Sequence, residues 1–171
     1  LTTGKSSYSI EGIYFSQQVL IEKKTEISKG LKEFKEDKNY DETIKIFSSL
    51  KDKIVDNTSK KGVNSILNAS YYGSNRNLDG LDFLCQIVKQ GQVVDQGLIF
   101  DIHAHIRAIS LSNGYNIAKS TALEYQKACP KMPVSPVFAG IPLGKMEELK
   151  KGNNCTDSRS SKCVNTHCLD S

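Results

Sequence analysis

Residues 13–34 read IYFSQQVLIEKKTEISKGLKEF, the most regular stretch of the chain. Its large apolar side chains recur every seven residues, at Ile13, Leu20, Ile27 and Phe34, with Leu31 beside them. Charged side chains occupy the opposite face, among them Glu22, Lys29 and Lys32. This spacing collects the apolar groups in one stripe of a helix. It therefore predicts an amphipathic helix of about six turns, near residues 10–36.

Apolar residues at helical spacing continue along the chain and predict further helices near residues 42–58, 78–90 and 96–129. Asp41 and Asp95 are suited to cap the helices that follow them. We expect the Lys-Lys-Gly run at 60–62 to end the second helix, and Asn-Gly at 113–114 to break or weaken the last. No strand-like alternation persists over several segments. The predicted fold is an all-α helical bundle of about five helices.

The sequence changes character at Pro130, since all four prolines lie between this residue and Pro142. Apolar side chains fill the positions between the prolines, so the segment is too apolar for a free linker. We predict that residues 130–144 are extended and packed on the helical domain, which comprises residues 1–151. Residues 152–171 form a polar tail that we expect disulfides to order.

Composition narrows the class of protein. Hydrophobic residues make up 38% and charged residues 25%, as in a globular chain. Basic and acidic side chains interleave despite the net charge of +4, as in EFKEDK at residues 33–38, so we expect no nucleic-acid partner. No apolar run approaches the roughly 18 residues that a membrane span needs, and we expect no such span.

Cysteines and glycosylation sequons favour the secretory route. Three of the five cysteines fall in the polar tail, where a reduced thiol lacks apolar surroundings. Three sequons start at Asn57, Asn68 and Asn154. Together they predict a secreted, extracellular, disulfide-bonded glycoprotein. An intracellular protein with free thiols is the alternative.

The cysteines can pair in more than one way; they are Cys85, Cys129, Cys155, Cys163 and Cys168. Cys85 lies on the buried side of one predicted helix and Cys129 ends a later one, so neighbouring antiparallel helices can bring them together. We predict that Cys85 pairs with Cys129 or with a tail cysteine. Alternatively, Cys85 stays a free thiol and the other four form two bridges. Zinc at the tail cysteines and His167 is disfavoured, because their spacing is not that of a finger.

The string GLIFDIHAHI, residues 97–106, contains Asp101, His103 and His105. This Asp-x-His-x-His pattern resembles the first-strand metal motif of amidohydrolase and TatD-type hydrolases, which bind a divalent metal in a (β/α)₈ barrel. The chain after His105 is too short to complete a barrel of about 250 residues. The surrounding apolar spacing is helical, which places the two rings about 200° apart. We therefore expect no shared metal, with His105 in the interior and His103 facing water or a carboxylate.

The sequence favours a secreted, non-enzymatic binding protein that engages another macromolecule, in the manner of an extracellular effector, inhibitor or ligand. The adjacent tyrosines Tyr71 and Tyr72, beside a Gly/Asn loop, are the candidate interface, with one ring packed and one at the rim as the plainer interpretation. One alternative is a carrier that holds a small hydrophobic ligand inside the bundle. A remote alternative is a metal-dependent hydrolase using Asp101, His103 and His105. No cofactor is predicted.

Overall fold

The computed structural model describes residues 14–134, and every regular element in this part of the chain is a helix. The predicted all-α class is confirmed, with more helices than the expected five. The seven are α1 (Gln17–Glu22), α2 (Lys24–Lys35), α3 (Tyr40–Lys51), α4 (Asn57–Gly73), α5 (Asn77–Lys89), α6 (Gln96–Asn113) and α7 (Tyr115–Ala128). Among these seven, none has both the length and the apolar character needed to cross a membrane.

The chain divides into two compact units, Leu1–Gly80 and Leu81–Ser171, called unit 1 and unit 2 below. The boundary falls within α5. The predicted boundary between residues 151 and 152, the tail, and the proline-rich segment beyond Val134 all lie outside the described residues and stay predictions.

In unit 1 the predicted continuous helix over residues 10–36 is wrong, because Lys23 interrupts it. The Lys23 backbone, with φ −116° and ψ 23°, separates α1 from α2. The interruption changes the phase of the apolar stripe. Val19 is buried while Leu20 is only half-buried, whereas Ile27 keeps its predicted buried position.

The predicted helix over residues 42–58 is also wrong at its end, and the Lys-Lys-Gly run does not terminate a helix. Helix α3 ends at Lys51, and α4 begins at Asn57 and continues through Gly62. Asp56 caps α4, since its carboxylate accepts a hydrogen bond from the Ser59 amide at 2.9 Å. Asn39 caps α3 in place of the predicted Asp41, which lies in the first turn.

Gly62 lies inside α4 because another part of the chain packs closely against it. A Cβ atom at Gly62 would lie 1.8 Å from the backbone oxygen of Tyr14, so only glycine permits this approach. Hydrogen bonds also join the residues before α1 to the start of α4. The Ser16 amide donates to Ser59 Oγ at 2.9 Å, and the Ser16 hydroxyl donates to Asp56. Burial alone would raise the pKa of Asp56, but hydrogen bonds from Ser59 and Ser16 outweigh it and lower that pKa.

The core of unit 1 is partly aromatic. The rings of Phe15 and Phe47 stack with their centroids 6.2 Å apart, and both side chains are almost completely buried. Leu50 and Ile66 are buried in the same unit. Gly30 admits the Phe47 ring, which lies 2.6 Å from where a Cβ would stand. Residues of α2, α3 and α4 thus supply a close-packed interior.

Unit 2 packs an aliphatic core between α5, α6 and α7. Its predicted helix over residues 78–90 is confirmed by α5, and Asp95 caps α6 by accepting from the Leu98 amide at 2.9 Å. The predicted helix over residues 96–129 is broken at Gly114, whose φ of +94° suits glycine. Core side chains include Leu84, Ile102, Ile106, Ala118, Ala122, Met132 and Val134.

Candidate interaction surface and the Asp101–His105 helix

The tyrosine pair lies at the end of α4, in a tightly hydrogen-bonded turn. The Ser74 hydroxyl donates to the carbonyl oxygens of Ser70 and Tyr71, at 2.8 and 3.2 Å. The Arg76 amide donates to the Tyr71 carbonyl at 2.9 Å. Asn75 takes a left-handed conformation with φ 60°, which asparagine tolerates better than most residues. These bonds define the path of the backbone directly after the tyrosines.

Arg76 binds this turn to the neighbouring helices of unit 1. Its Nε donates to Asp79 at 2.8 Å, and its Nη1 donates to Asp41 at 3.2 Å. The guanidinium lies 5.2 Å from the centroid of the Tyr71 ring, within cation–π range. The hydrogen bond to Asp79 is the main cause that raises the pKa of Arg76. Burial raises the pKa of the Tyr71 hydroxyl.

The two tyrosines therefore have different environments. Tyr71 is half-buried beneath Arg76, whereas Tyr72 has 52% of its surface exposed. Leu78, in the first turn of α5, is 54% exposed. The turn thus presents an aromatic ring and an aliphatic side chain to solvent. Tyrosine is one of the residue types that carry most of the binding energy in protein interfaces.

The Asp101–His105 string lies on α6, not on a strand. His105 is fully buried, and burial lowers its pKa to about 4, so its ring is neutral at pH 7. His103 lies on another side of the helix, and its Nε2 donates to the carbonyl oxygen of Pro133 at 3.2 Å. Asp101 is half-buried, and its pKa is raised by burial and by Asp95.

These positions do not bring the two imidazoles together. The interior position predicted for His105 is found, and the part-buried His103 donates to a backbone carbonyl. Within residues 14–134, no three histidine, cysteine or acidic side chains are grouped as metal ligands. Helix α6 thus lacks the strand geometry on which the resemblance to metal hydrolases depends.

The described cysteines and sequons occupy distinct settings. Cys85 of α5 and Cys129 at the end of α7 form a disulfide with Cα atoms 5.9 Å apart, one of the two pairings predicted for Cys85. Asn57 is exposed at the start of α4. Asn68 is only 7% exposed within α4, a position that leaves no room for a glycan in this packing. Outside the described residues lie Asn154, Cys155, Cys163, His167 and Cys168.

Sequence reasoning missed two features. One is Arg76. Its signal in the sequence is an arginine in a lysine-rich chain, three residues before Asp79, which lies in the predicted helix over residues 78–90. The other is an outward stripe on α6, where Phe100 is 71% and Leu111 70% exposed. The helical spacing of Phe100 and Leu111 is present in the sequence, but it does not by itself show that these outward side chains stay exposed.

Neither a protein-family model, nor a curated protein, nor a solved structure matches the chain.

Proposed function

We propose that the chain is a secreted, non-enzymatic binding protein that engages another extracellular protein through the turn between α4 and α5. The observation that carries this proposal is the exposed Tyr72 ring on a turn held by Arg76 and Ser74. Tyr72 is the contact residue, and Tyr71 supports the turn from below.

The physical basis is the low entropic cost of binding. A tyrosine has few rotatable bonds and offers a large apolar face with a polar tip. Arg76 holds the turn by hydrogen bonds to Asp41 and Asp79, so little backbone order remains to be gained when a partner docks. A partner with an apolar recess for the exposed Tyr72 ring would fit this surface.

The extracellular setting is supported by two observations. Cys85 and Cys129 are paired, and disulfides persist mainly in oxidising compartments. The sequon at Asn57 begins at an exposed residue. Mass spectrometry of the protein secreted by a eukaryotic cell would test this, with a glycan at Asn57 as the expected result. A bound lipid released on denaturation would favour a carrier instead.

Binding itself is tested by screening the full chain against an array of extracellular protein domains. We expect a partner whose affinity falls at least about tenfold with Tyr72→Ala, as for an interface anchor. The matched control is Ile21→Ala, which changes another exposed side chain of unit 1, 71% exposed. Partners that bind wild type and Tyr72→Ala equally would contradict the assignment of this surface.

A further inference from the structure

The outward side of α6 in unit 2 carries an apolar stripe that the core does not use. Phe100, Ala104, Arg107 and Leu111 follow one another at spacings of four, three and four, which places them on one side of a helix. Phe100 and Leu111 are the two large apolar members, and each exposes about 70% of its surface. The stripe, called the α6 stripe below, is about 16 Å long from Phe100 to Leu111.

The chain leaves the described part of unit 2 beside this stripe. Met132 and Val134 are completely buried in the core of the unit, which anchors this end of the chain. Between them, the Pro133 carbonyl accepts the hydrogen bond from His103 Nε2. His103 lies three residues after Phe100, one helical turn away on an adjoining side of α6. Residue 135 therefore follows directly from a point next to the stripe.

We propose that residues 135–144 of this same chain dock on the α6 stripe. These residues read SPVFAGIPLG and carry no charged side chain, so the segment itself brings no ion that docking would desolvate. Pro136 and Pro142 also lack amide donors that would need partners on an apolar surface. Val137, Phe138, Ile141 and Leu143 supply apolar groups for Phe100 and Leu111.

Length and proximity favour this occupant over a second molecule. Ten residues in an extended, polyproline-like conformation span about 30 Å, nearly twice the length of the stripe. Because the segment is joined to the anchored Val134, its effective concentration at the stripe is on the order of millimolar. A separate chain would have to exceed that concentration to compete. Arg107, in the middle of the stripe, can donate to a carbonyl of the docked segment.

The test is chymotrypsin cleavage after Phe138 in the full, disulfide-intact chain, located by peptide mass spectrometry. A docked Phe138 is cleaved slowly, and the double variant Phe100→Ser/Leu111→Ser should raise the rate roughly tenfold by releasing it. The matched control is Ile117→Ser/Leu123→Ser on α7, whose side chains are 52% and 49% exposed. Circular dichroism confirms that both variants keep their helices.

Three outcomes would overturn the proposal. Cleavage after Phe138 that is equally fast in wild type and the double variant shows that the stripe does not hold the segment. Slow cleavage in both shows that the segment is protected elsewhere. Protection that rises with protein concentration, with a dimer in sedimentation lost in the double variant, assigns the stripe to a second copy. The proposal is supported if the protein is a monomer and cleavage after Phe138 becomes faster in Phe100→Ser/Leu111→Ser but not in Ile117→Ser/Leu123→Ser.

Discussion

Units 1 and 2 are both helical, yet different interactions hold each of them. Unit 1 contains no cysteine and relies on close approaches at glycine, stacked phenylalanines and polar caps. Unit 2 has an aliphatic core crossed by the disulfide between Cys85 and Cys129. Perturbations of redox state, side-chain volume and pH should therefore act on one unit and spare the other.

The largest effect should follow loss of the disulfide. The bridge closes a loop with a sequence separation of 44, which corresponds to about 4 kcal/mol of stability in the chain-entropy model. The double variant Cys85→Ala/Cys129→Ala should lose most of this within unit 2. Hydrogen exchange should show faster opening of α6 and α7, with α3 unchanged. Equal acceleration in α3 would mean that the bridge stabilises both units.

In unit 1, Gly62→Ala should cost about 3 kcal/mol or more, because its Cβ would overlap the Tyr14 backbone oxygen. Urea unfolding monitored by hydrogen exchange of α4 measures the change. The control is Gly97→Ala on α6, whose Cβ would meet only Asp95 at 3.4 Å. That substitution should be neutral or stabilise by about 0.5–1 kcal/mol. Unchanged stability of Gly62→Ala would disprove the close approach.

Acid should weaken unit 2 through His105. Its pKa is lowered from 6.5 to about 4 in the folded protein, so the unfolded chain takes up the proton first. The stability that the neutral His105 ring contributes is fully present above pH 6.5. It falls as the pH drops towards 4, by at most about 3 kcal/mol. The difference between wild type and His105→Leu, followed by urea unfolding from pH 7.5 to 4, isolates this contribution. Parallel pH curves for the two proteins would refute it.

The smallest effect is expected at Arg76. Replacing it by Gln removes two exposed ion pairs and the contact with the Tyr71 ring, together worth about 1 kcal/mol. Amide hydrogen exchange at residues 73–76 should become faster. The free energy of local opening there should fall by more than the global free energy of unfolding. Lys45→Gln, which removes an exposed ion pair with Glu42, serves as the control. If both variants leave the turn equally protected, Arg76 does not hold it.

Local signals in the sequence were sufficient for some elements. Helix α5 and the Asp95 cap follow from apolar spacing and a capping residue, which act over a few positions. The inward position of His105 follows from the same periodicity. These features depend on interactions within one helix and its nearest turn, so the predictions agree with the structure.

Predictions failed where distant residues decide the outcome. Gly62 resembles a helix terminator, but its partner Tyr14 is far away along the chain. Asp56 caps α4 and also accepts from Ser16, across forty residues. Arg76 similarly reaches Asp41. For the candidate surface, the sequence indicated the tyrosine pair, while the difference between half-buried Tyr71 and exposed Tyr72 depends on these long-range contacts.

The disulfide between Cys85 and Cys129 is tested most directly by a tryptic peptide map under non-reducing conditions. Cys85 lies in the peptide of residues 77–89 and Cys129 in that of residues 128–131. The expected result is one species in which these two peptides are linked and which reduction separates. An unmodified Cys85 thiol, or Cys85 linked to Cys155, Cys163 or Cys168, would contradict the disulfide.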